Sequence, residues 1–279
     1  MVFHREQKIE KIENKRIDMS HITTIISDFD GTILRNGAMR VEPEFIDLLE
    51  KLLDKGYRFI AASGRQHANL QFLMGRLADR VSYACENGAI AIAEGNLLQE
   101  ALLSKELVQE VITEMQKYDC NHIVPCTPDL DYVLETDLEM KRYLSEDMKS
   151  NIQLISDFSK IDRDVIKVSV RWDAGIPYEL EKQFQEKFAG RLMVMDSGNN
   201  WIDFVHCDAN KANALRKIGE NLGFTMDQVL GFGDGENDIQ MLQTCGMNYL
   251  MDTAREPVKA ALPNAIECKD VKEILRELL

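Results

Sequence analysis

The segment Ile25-Ile26-Ser27-Asp28-Phe29-Asp30-Gly31-Thr32-Ile33-Leu34 places two carboxylates at i and i+2, directly after an apolar, β-forming run. A glycine and a threonine follow at once. Apolar runs of this kind read as buried strands of a parallel sheet. Burying one ionised carboxylate is costly, and two side by side repel each other unless a cation lies between them. A strand ending in Asp-x-Asp-Gly-Thr therefore points to a hard-metal site at the carboxyl edge of a sheet. The plainer alternative is a polar strand end with a glycine turn, and the remainder of the chain weighs against it.

Three more segments bear on the choice. Tyr57-Arg58-Phe59-Ile60-Ala61-Ala62-Ser63-Gly64-Arg65 is a second strand, ending in a hydroxyl and a glycine before a helical pattern. Val229-Leu230-Gly231-Phe232-Gly233-Asp234-Gly235-Glu236-Asn237-Asp238 is a third, ending in a glycine-rich acidic loop. Between them Lys211 opens another helical pattern in Asp208-Ala209-Asn210-Lys211-Ala212-Asn213-Ala214-Leu215. In these four motifs and their order the chain resembles the haloacid dehalogenase superfamily of phosphatases. The strings Ser63-Gly64-Arg65, Glu86-Asn87-Gly88-Ala89 and Asp234-Gly235-Glu236-Asn237-Asp238 look like those of its Cof-type group. The resemblance runs from about residue 21 to 279; each string alone is weak, but four in order are specific.

That resemblance implies a Mg²⁺-dependent phosphatase. A phosphomonoester dianion repels a carboxylate nucleophile, so attack requires charge neutralisation. Asp28 is the candidate nucleophile, forming an aspartyl-phosphate that divides one hard displacement into two easier ones. Mg²⁺ would bridge Asp28 and a phosphate oxygen, with Asp234 completing the anionic ligation and Asp30 contributing its backbone carbonyl. The Asp30 side chain would act as general acid and then base, help that typically supplies about 10²–10⁴-fold. Ser63 and the N–H of Gly64, at an expected helix N-terminus, would hold the phosphate with Lys211 and Asn237. Asp238 is read as standing one layer back, ligating through water or holding Lys211.

Taken singly, these residues have plainer uses. Lys211 alone would be a surface helix lysine, Ser63 a helix cap, and Glu86-Asn87-Gly88 a turn; the resemblance makes the last a crevice-lining loop. Asp234, Glu236 and Asp238 are spaced like the start of a calcium loop, but Ile239 stands where that loop needs glycine. Gly231-x-Gly233-x-Gly235 is no dinucleotide fingerprint, because Glu236 replaces the third glycine. The approach to the lysine, His206-Cys207-Asp208-Ala209-Asn210-Lys211-Ala212, lacks the two glycines usual in the family, which changes how closely that loop can approach a phosphate.

The elements that must position these residues follow from periodicity. Strands at about 22–28, 57–63 and 81–85 alternate with helices at about 43–54 and 65–77, a βαβαβ rhythm that implies a doubly wound parallel sheet. Residues 89–102 read as a hairpin around Gly95-Asn96. The pattern then changes: a helix at about 104–117, an irregular stretch around Pro125 and Pro128, and a charged helical segment near 137–148. The alternating strand Ile166–Trp172, a helix over 178–188 and paired strands at 191–196 and 200–205 fit an antiparallel sheet with one wet face. The α/β core resumes with helix 211–222, strand 228–233, helix 236–243, the strand Tyr249–Asp252, helix 256–261, strand 265–267 and helix 270–278. The expected fold class is an α/β, Rossmann-like core over 21–102 and 204–279. An inserted α+β cap, of the C2B type by resemblance, occupies 103–203, and residues 1–20 form a solvated, partly disordered extension. Arg65, Asp131, Tyr132, Arg171, Trp172 and Trp201 are candidates for the crevice, although core or solvated positions would be ordinary for each.

Bulk properties exclude other classes. The 279 residues favour two domains. A formal charge of −14 disfavours nonspecific nucleic-acid binding, which needs a positive stripe. The cysteines at 85, 120, 126, 207, 245 and 268 form no Cys-x-x-Cys pair and fit reduced thiols in a cytosol, and none of the five histidines shows ligand spacing. No stretch approaches the roughly 18 apolar residues of a membrane span, and the first twenty residues lack the apolar core of a secretory signal. The expectation is a cytoplasmic monomer or weak homo-oligomer whose partner is a small phosphorylated metabolite. A phosphomannomutase-type phosphomutase, which shares the motifs, and a phospho-ligand sensor with little turnover are the competing functions.

Overall fold

The structure is a computed structural model that describes residues 18–177, 179–198 and 200–279. Two sheets organise it. The first contains β1 (Thr24–Ser27), β2 (Arg58–Ala62), β3 (Ser82–Cys85), β4 (Ile90–Ala93) and β5 (Asn96–Glu100). The second is built from β6 (His122–Cys126), β7 (Asp131–Leu134), β8 (Ile152–Ile155), β9 (Lys167–Arg171), β10 (Leu192–Gly198) and β11 (Trp201–His206). The chain then returns to the first sheet with β12 (Val229–Gly233), β13 (Met247–Met251) and β14 (Ile266–Cys268).

The first sheet has eight strands in the order β14-β13-β12-β1-β2-β3-β4-β5. Its first six strands run parallel, and β4 and β5 turn back antiparallel. Successive side chains of a strand point to opposite faces. In β1, Ile25 packs with Phe45, Leu49 and Leu52 of the helix Pro43–Asp54, while Ile26 packs with Ala214, Leu215 and Ile218 of the helix Lys211–Leu222. Helices on both faces explain why these strands are apolar throughout. The expected doubly wound α/β class is thus the one observed. Chain order reverses at β1, which lies between β12 and β2, so a crevice opens there at the carboxyl ends. The β4–β5 turn is made by Glu94 (φ 50) and Gly95 (φ 75), one residue earlier than expected, because those two residues take the left-handed conformation a tight hairpin requires.

The second sheet, ordered β10-β11-β9-β6-β7-β8, is antiparallel except for the parallel pair β7–β8. The stretch expected to be irregular contains β6 and β7, and β8 was not foreseen. Pro125 misleads: it lies within β6, where the ladder to β7 is reduced to the single pair Cys126–Asp131, so its missing N–H interrupts little. The charged segment begins as the helix Leu138–Arg142 and widens into a π turn over Tyr143–Asp147. One face of the sheet packs Val168, Val170, Ile202 and Phe204 against the helices Lys105–Met115 and Leu180–Lys187. The other face, carrying Lys167, Ser169, Asp131 and Asp203, is not the wet face expected of it. All four are buried, because that face closes over the crevice of the first sheet. The last strand of this sheet runs to His206, three residues past the boundary read from the sequence. Of the expected extension 1–20, residues 1–17 lie outside the described residues; Met19 is buried against the core.

One close approach fixes how the parts meet. Glu86, Asn87 and Gly88 all have positive φ (53, 57 and 85). A Cβ on Gly88 would lie 2.3 Å from the main-chain carbon and oxygen of Asn210 and 2.6 Å from the nitrogen of Lys211. The missing side chain is what lets this loop seat the start of the lysine helix. Gly88→Ala is therefore expected to destabilise the protein by at least about 2 kcal/mol, from backbone strain and overlap together. Gly56→Ala, at φ +93 with nothing within 4 Å, should cost only the backbone strain, about 1 kcal/mol. Urea midpoints of the two variants check the difference, and equal shifts would contradict it.

Candidate active site

Each motif residue stands one position beyond a strand of the first sheet: Asp28 after β1, Ser63 after β2, Glu86 after β3 and Asp234 after β12. The Asp28 N–H donates to Phe232 O (3.0 Å) and the Ser63 N–H to Ala84 O (3.0 Å), so the sheet ladder holds both in register. Lys211 begins its helix, with Asn210 as the cap whose side chain accepts from Asn213 N (2.8 Å). From there its ammonium, 0% exposed, donates to Asp28 Oδ1 and to Asp238 Oδ1, both at 2.6 Å. Asp238 Oδ2 in turn accepts from the N–H groups of Asp234 and Gly235, both at 3.0 Å. Of the two expected roles for Asp238, the one seen is the contact with Lys211.

Asp234 is set by two neighbours. Thr32 donates to its Oδ1 (2.8 Å), and a Cβ on Gly31 would fall 2.2 Å from its Oδ2. The Gly-Thr following Asp30 thus gives one residue that makes room for the carboxylate and one that orients it. Carboxylate oxygens of Asp28, Asp234 and Asp238 lie within 4.8 Å of one another. Burial first, then the charge of Asp238, push the Asp28 carboxyl well above the usual range, with Lys211 opposing. The same two causes push Asp234 up to about 6. Burial alone would lower Lys211, but Asp238 and Asp28 outweigh it and hold the ammonium above the ordinary lysine range.

The remaining expected residues are brought to the same crevice with different partners. Asp30 lines it, and Arg65 grips both of its carboxylate oxygens, Nε to Oδ2 at 2.6 Å and a terminal nitrogen to Oδ1 at 2.5 Å. Ser63 is buried and its Oγ accepts from Arg65 N (3.2 Å). It is not at a helix N-terminus: the helix starts at His67 behind Gln66. Gln66 stays extended there to exchange hydrogen bonds with Asn151, its Oε1 accepting at 2.8 Å and its Nε2 donating at 3.2 Å. The amide of Asn237 donates to Asn87 Oδ1 (3.0 Å), so the structure commits it to the Glu86-Asn87-Gly88 loop.

The second sheet adds residues that were not anticipated. Lys167 donates to Gly64 O (2.9 Å) and lies 2.7 Å from Glu86 Oε2 and 3.4 Å from Asp203 Oδ2. Asp203 also accepts from Asn87 (2.6 Å), Ser197 (2.7 Å) and Ser169 (2.5 Å). The available signal was the alternation Lys167-x-Ser169-x-Arg171, which marks a polar face but does not say that the face is covered. Among the crevice candidates, Arg65, Asp131 and Trp201 line the cavity. Tyr132 and Trp172 are core residues, the Tyr132 hydroxyl donating to Asp162 (2.5 Å), and Arg171 lies over the rings of Tyr143 and Trp201. The cavity, open on one side, measures about 410 Å³, the size of a small-metabolite site.

Comparison with known proteins agrees with this geometry. Residues 25–278 match the family model for haloacid dehalogenase-like hydrolases. The chain is 25% identical over 240 residues to the 5-amino-6-(5-phospho-D-ribitylamino)uracil phosphatase YbjI of Escherichia coli, covering 86% of this chain and 89% of that protein. It is 24% identical over 245 residues to the HMP-PP phosphatase of Serratia proteamaculans, covering 85% and 86%. A HAD/COF-like hydrolase from Plasmodium vivax superposes with a TM-score of 0.82 at 20% identity, covering 92% of this chain and 95% of that one. The HAD subclass IIB sugar phosphatase BT4131 superposes with a TM-score of 0.77 at 21% identity, covering 92% and 98%. With the motif residues gathered at one crevice and the family model spanning almost the whole described chain, this protein belongs to the haloacid dehalogenase-like hydrolases.

Proposed function

We propose that the protein hydrolyses phosphomonoesters of small metabolites through an aspartyl-phosphate on Asp28, with Mg²⁺ as its cofactor. The observation that carries this reading is the buried ammonium of Lys211 fixed between Asp28 and Asp238, with Asp234 alongside. The donors suit magnesium. The two side-chain donors are carboxylates, and Lys211 and Thr32 occupy Oδ1 of Asp28 and of Asp234, which leaves an Oδ2 on each for a hard cation. The Asp30 carbonyl is the third ligand in this reading. When bound, the ion neutralises the repulsion between the carboxylate nucleophile and the phosphate dianion.

In the first step an Asp28 oxygen bonds to phosphorus while the bond from phosphorus to the leaving oxygen breaks. The Asp30 carboxyl supplies the proton that oxygen needs. In the second, Asp30 takes a proton from water, the water oxygen attacks phosphorus, and the Asp28 carboxylate departs from inorganic phosphate. Lys211, Ser63 and the Gly64 amide hold the phosphate oxygens, and Asn237 joins them only on leaving Asn87. The two-toothed grip of Arg65 favours ionised Asp30, the form that accepts the proton of water; donating to the leaving group requires that grip to open. Closure of the second sheet over the crevice excludes bulk water during both steps. The cysteines are all free thiols, which fits the cytoplasmic setting expected of the chain.

Phosphate release from p-nitrophenyl phosphate tests the reading. It should require Mg²⁺, and Asp28→Asn should lower kcat by at least about three orders of magnitude. Metal-independent release, or an Asp28→Asn variant that retains activity, would overturn it. A second expectation concerns stability. An acid whose pKa is higher folded than unfolded binds its proton more tightly in the folded state. Without metal, Asp234 therefore subtracts stability as pH rises from its ordinary 3.8 through about 6. Mg²⁺ relieves the ionised form, so the rise in Tm on adding it should be larger at about pH 7.5 than at about pH 5. Differential scanning fluorimetry measures both, and an equal or reversed effect would contradict a carboxylate metal site.

A further inference from the structure

The walls of the cavity differ from its floor in charge and in hydrogen-bonding state. Every cation that lines it is already engaged. Arg65 is held by Asp30 and Lys167 by Glu86, Asp203 and Gly64 O, while at the rim Arg255 lies 3.3 Å from Asp196. Away from the phosphate-binding floor, therefore, every lining cation among the described residues is paired, and a second anionic group would have to displace a carboxylate, Asp30 on Arg65 included, to reach one. The roof presents the opposite surplus. Asp131, on β7, is 4% exposed and lines the cavity, and its Oδ1 is buried with no hydrogen-bond partner. The amide of Gln66, close by, is committed to Asn151 O. Burial and the neighbouring Glu86 push the Asp131 carboxyl up to about 7, with Lys167 opposing. Beside it Val124, Leu144, Met148 and Trp201 give an apolar wall that suits the C–H face of a ring or chain.

Glu86 Oε2, the other buried lining oxygen without a hydrogen bond, has the Lys167 ammonium at 2.7 Å, whereas Asp131 Oδ1 has neither a hydrogen bond nor an ion pair, and such an atom marks where a ligand group belongs. Resting on the phosphomonoesterase reading above, we propose that the leaving group is a hydroxyl- or amino-bearing compound without a second anion, and that Asp131 selects it by accepting a hydrogen bond from its O–H or N–H. The substrate is then a monophosphate of a polyhydroxy or amino compound, rather than a bisphosphate or a phosphorylated carboxylic acid. A second phosphate in this cavity would face Asp131, Asp196 and Asp203 with no unpaired lining cation. The bisphosphate activator on which a mutase relies meets the same obstacle.

Steady-state kinetics on a hexose monophosphate, a hexosamine monophosphate, a hexose bisphosphate, phosphoglycerate and p-nitrophenyl phosphate test this. For the wild type, kcat/KM for one of the first two should exceed that for the bisphosphate and phosphoglycerate by at least about tenfold; which of the two leads identifies hydroxyl or amine as the donor. In Asp131→Leu the ratio of kcat/KM for the preferred monophosphate to that for p-nitrophenyl phosphate, which has no donor, should fall at least about tenfold, mainly through KM. Preference for either doubly anionic substrate, or an unchanged ratio in Asp131→Leu, would overturn the assignment. Should that variant not fold, the order of the wild-type panel decides alone. Absence of release from every compound, p-nitrophenyl phosphate included, would instead overturn the phosphomonoesterase reading on which it stands.

Discussion

The structure turns on a charge problem at the end of β1. Three carboxylates, Asp28, Asp234 and Asp238, converge where, among the described residues, the ammonium of Lys211 is the one cation placed to meet them. Neutralised by one lysine, three acids retain two negative charges, the charge that one divalent cation carries. The local architecture follows from keeping these groups close without letting them collapse. Asp238 is pinned by two backbone N–H groups, Asp234 by Thr32, and Lys211 by the capped start of its helix. Removing any one partner would leave a buried charge uncompensated, which is far more damaging than losing a surface ion pair.

A second buried lysine repeats the arrangement from above. Lys167 is enclosed by Glu86 and Asp203 and donates to the carbonyl of Gly64, which ties the second sheet to the loop that follows β2. The Gln66–Asn151 exchange and the contact from Asn69 to the Met148 carbonyl extend the same seam. Polar seams of this kind suit parts that separate and rejoin, because water replaces each hydrogen bond on opening and no large apolar face is exposed. Asn69 also accepts from Arg65 (3.0 Å), the residue that grips Asp30. The state of the proposed acid–base group is thereby linked to whether the second sheet is seated.

Much of this was legible in the sequence because it depends on short-range rules. Period-two burial and apolar runs gave the strands of the first sheet, and the helices Pro43–Asp54, Lys211–Leu222 and Glu256–Ala261 begin and end where the pattern places them. The motif residues were found because strand ends at a reversal of chain order converge whatever lies between them. What stayed hidden is tertiary. Pro125 reads as a strand breaker unless the neighbour across from it is known. Ser63 reads as a helix cap unless Gln66 is known to be needed at Asn151. Lys167 and Ser169 read as a solvated face unless the face opposite is known, and no local signal pairs Arg65 with Asp30 across 35 positions.

The lysine loop shows why a motif can depart from its family and still hold the geometry. The glycines usual in the family before and after Lys211 are absent, a loss expected to change how closely that loop approaches the phosphate. Asp208 and Ala212, which stand where those glycines would, do not have positive φ, so neither position requires a glycine. The close approach is achieved from the other side, where Gly88 presents a bare backbone against Asn210 and Lys211. Proximity belongs to a pair of surfaces, and either member can carry the glycine that makes it possible. By the same reasoning the floor of the cavity is insensitive to such exchanges, since its charges and register fix it. Discrimination among substrates then falls to the roof, where the sheet contributed by β6–β11 sets Asp131 against an apolar wall.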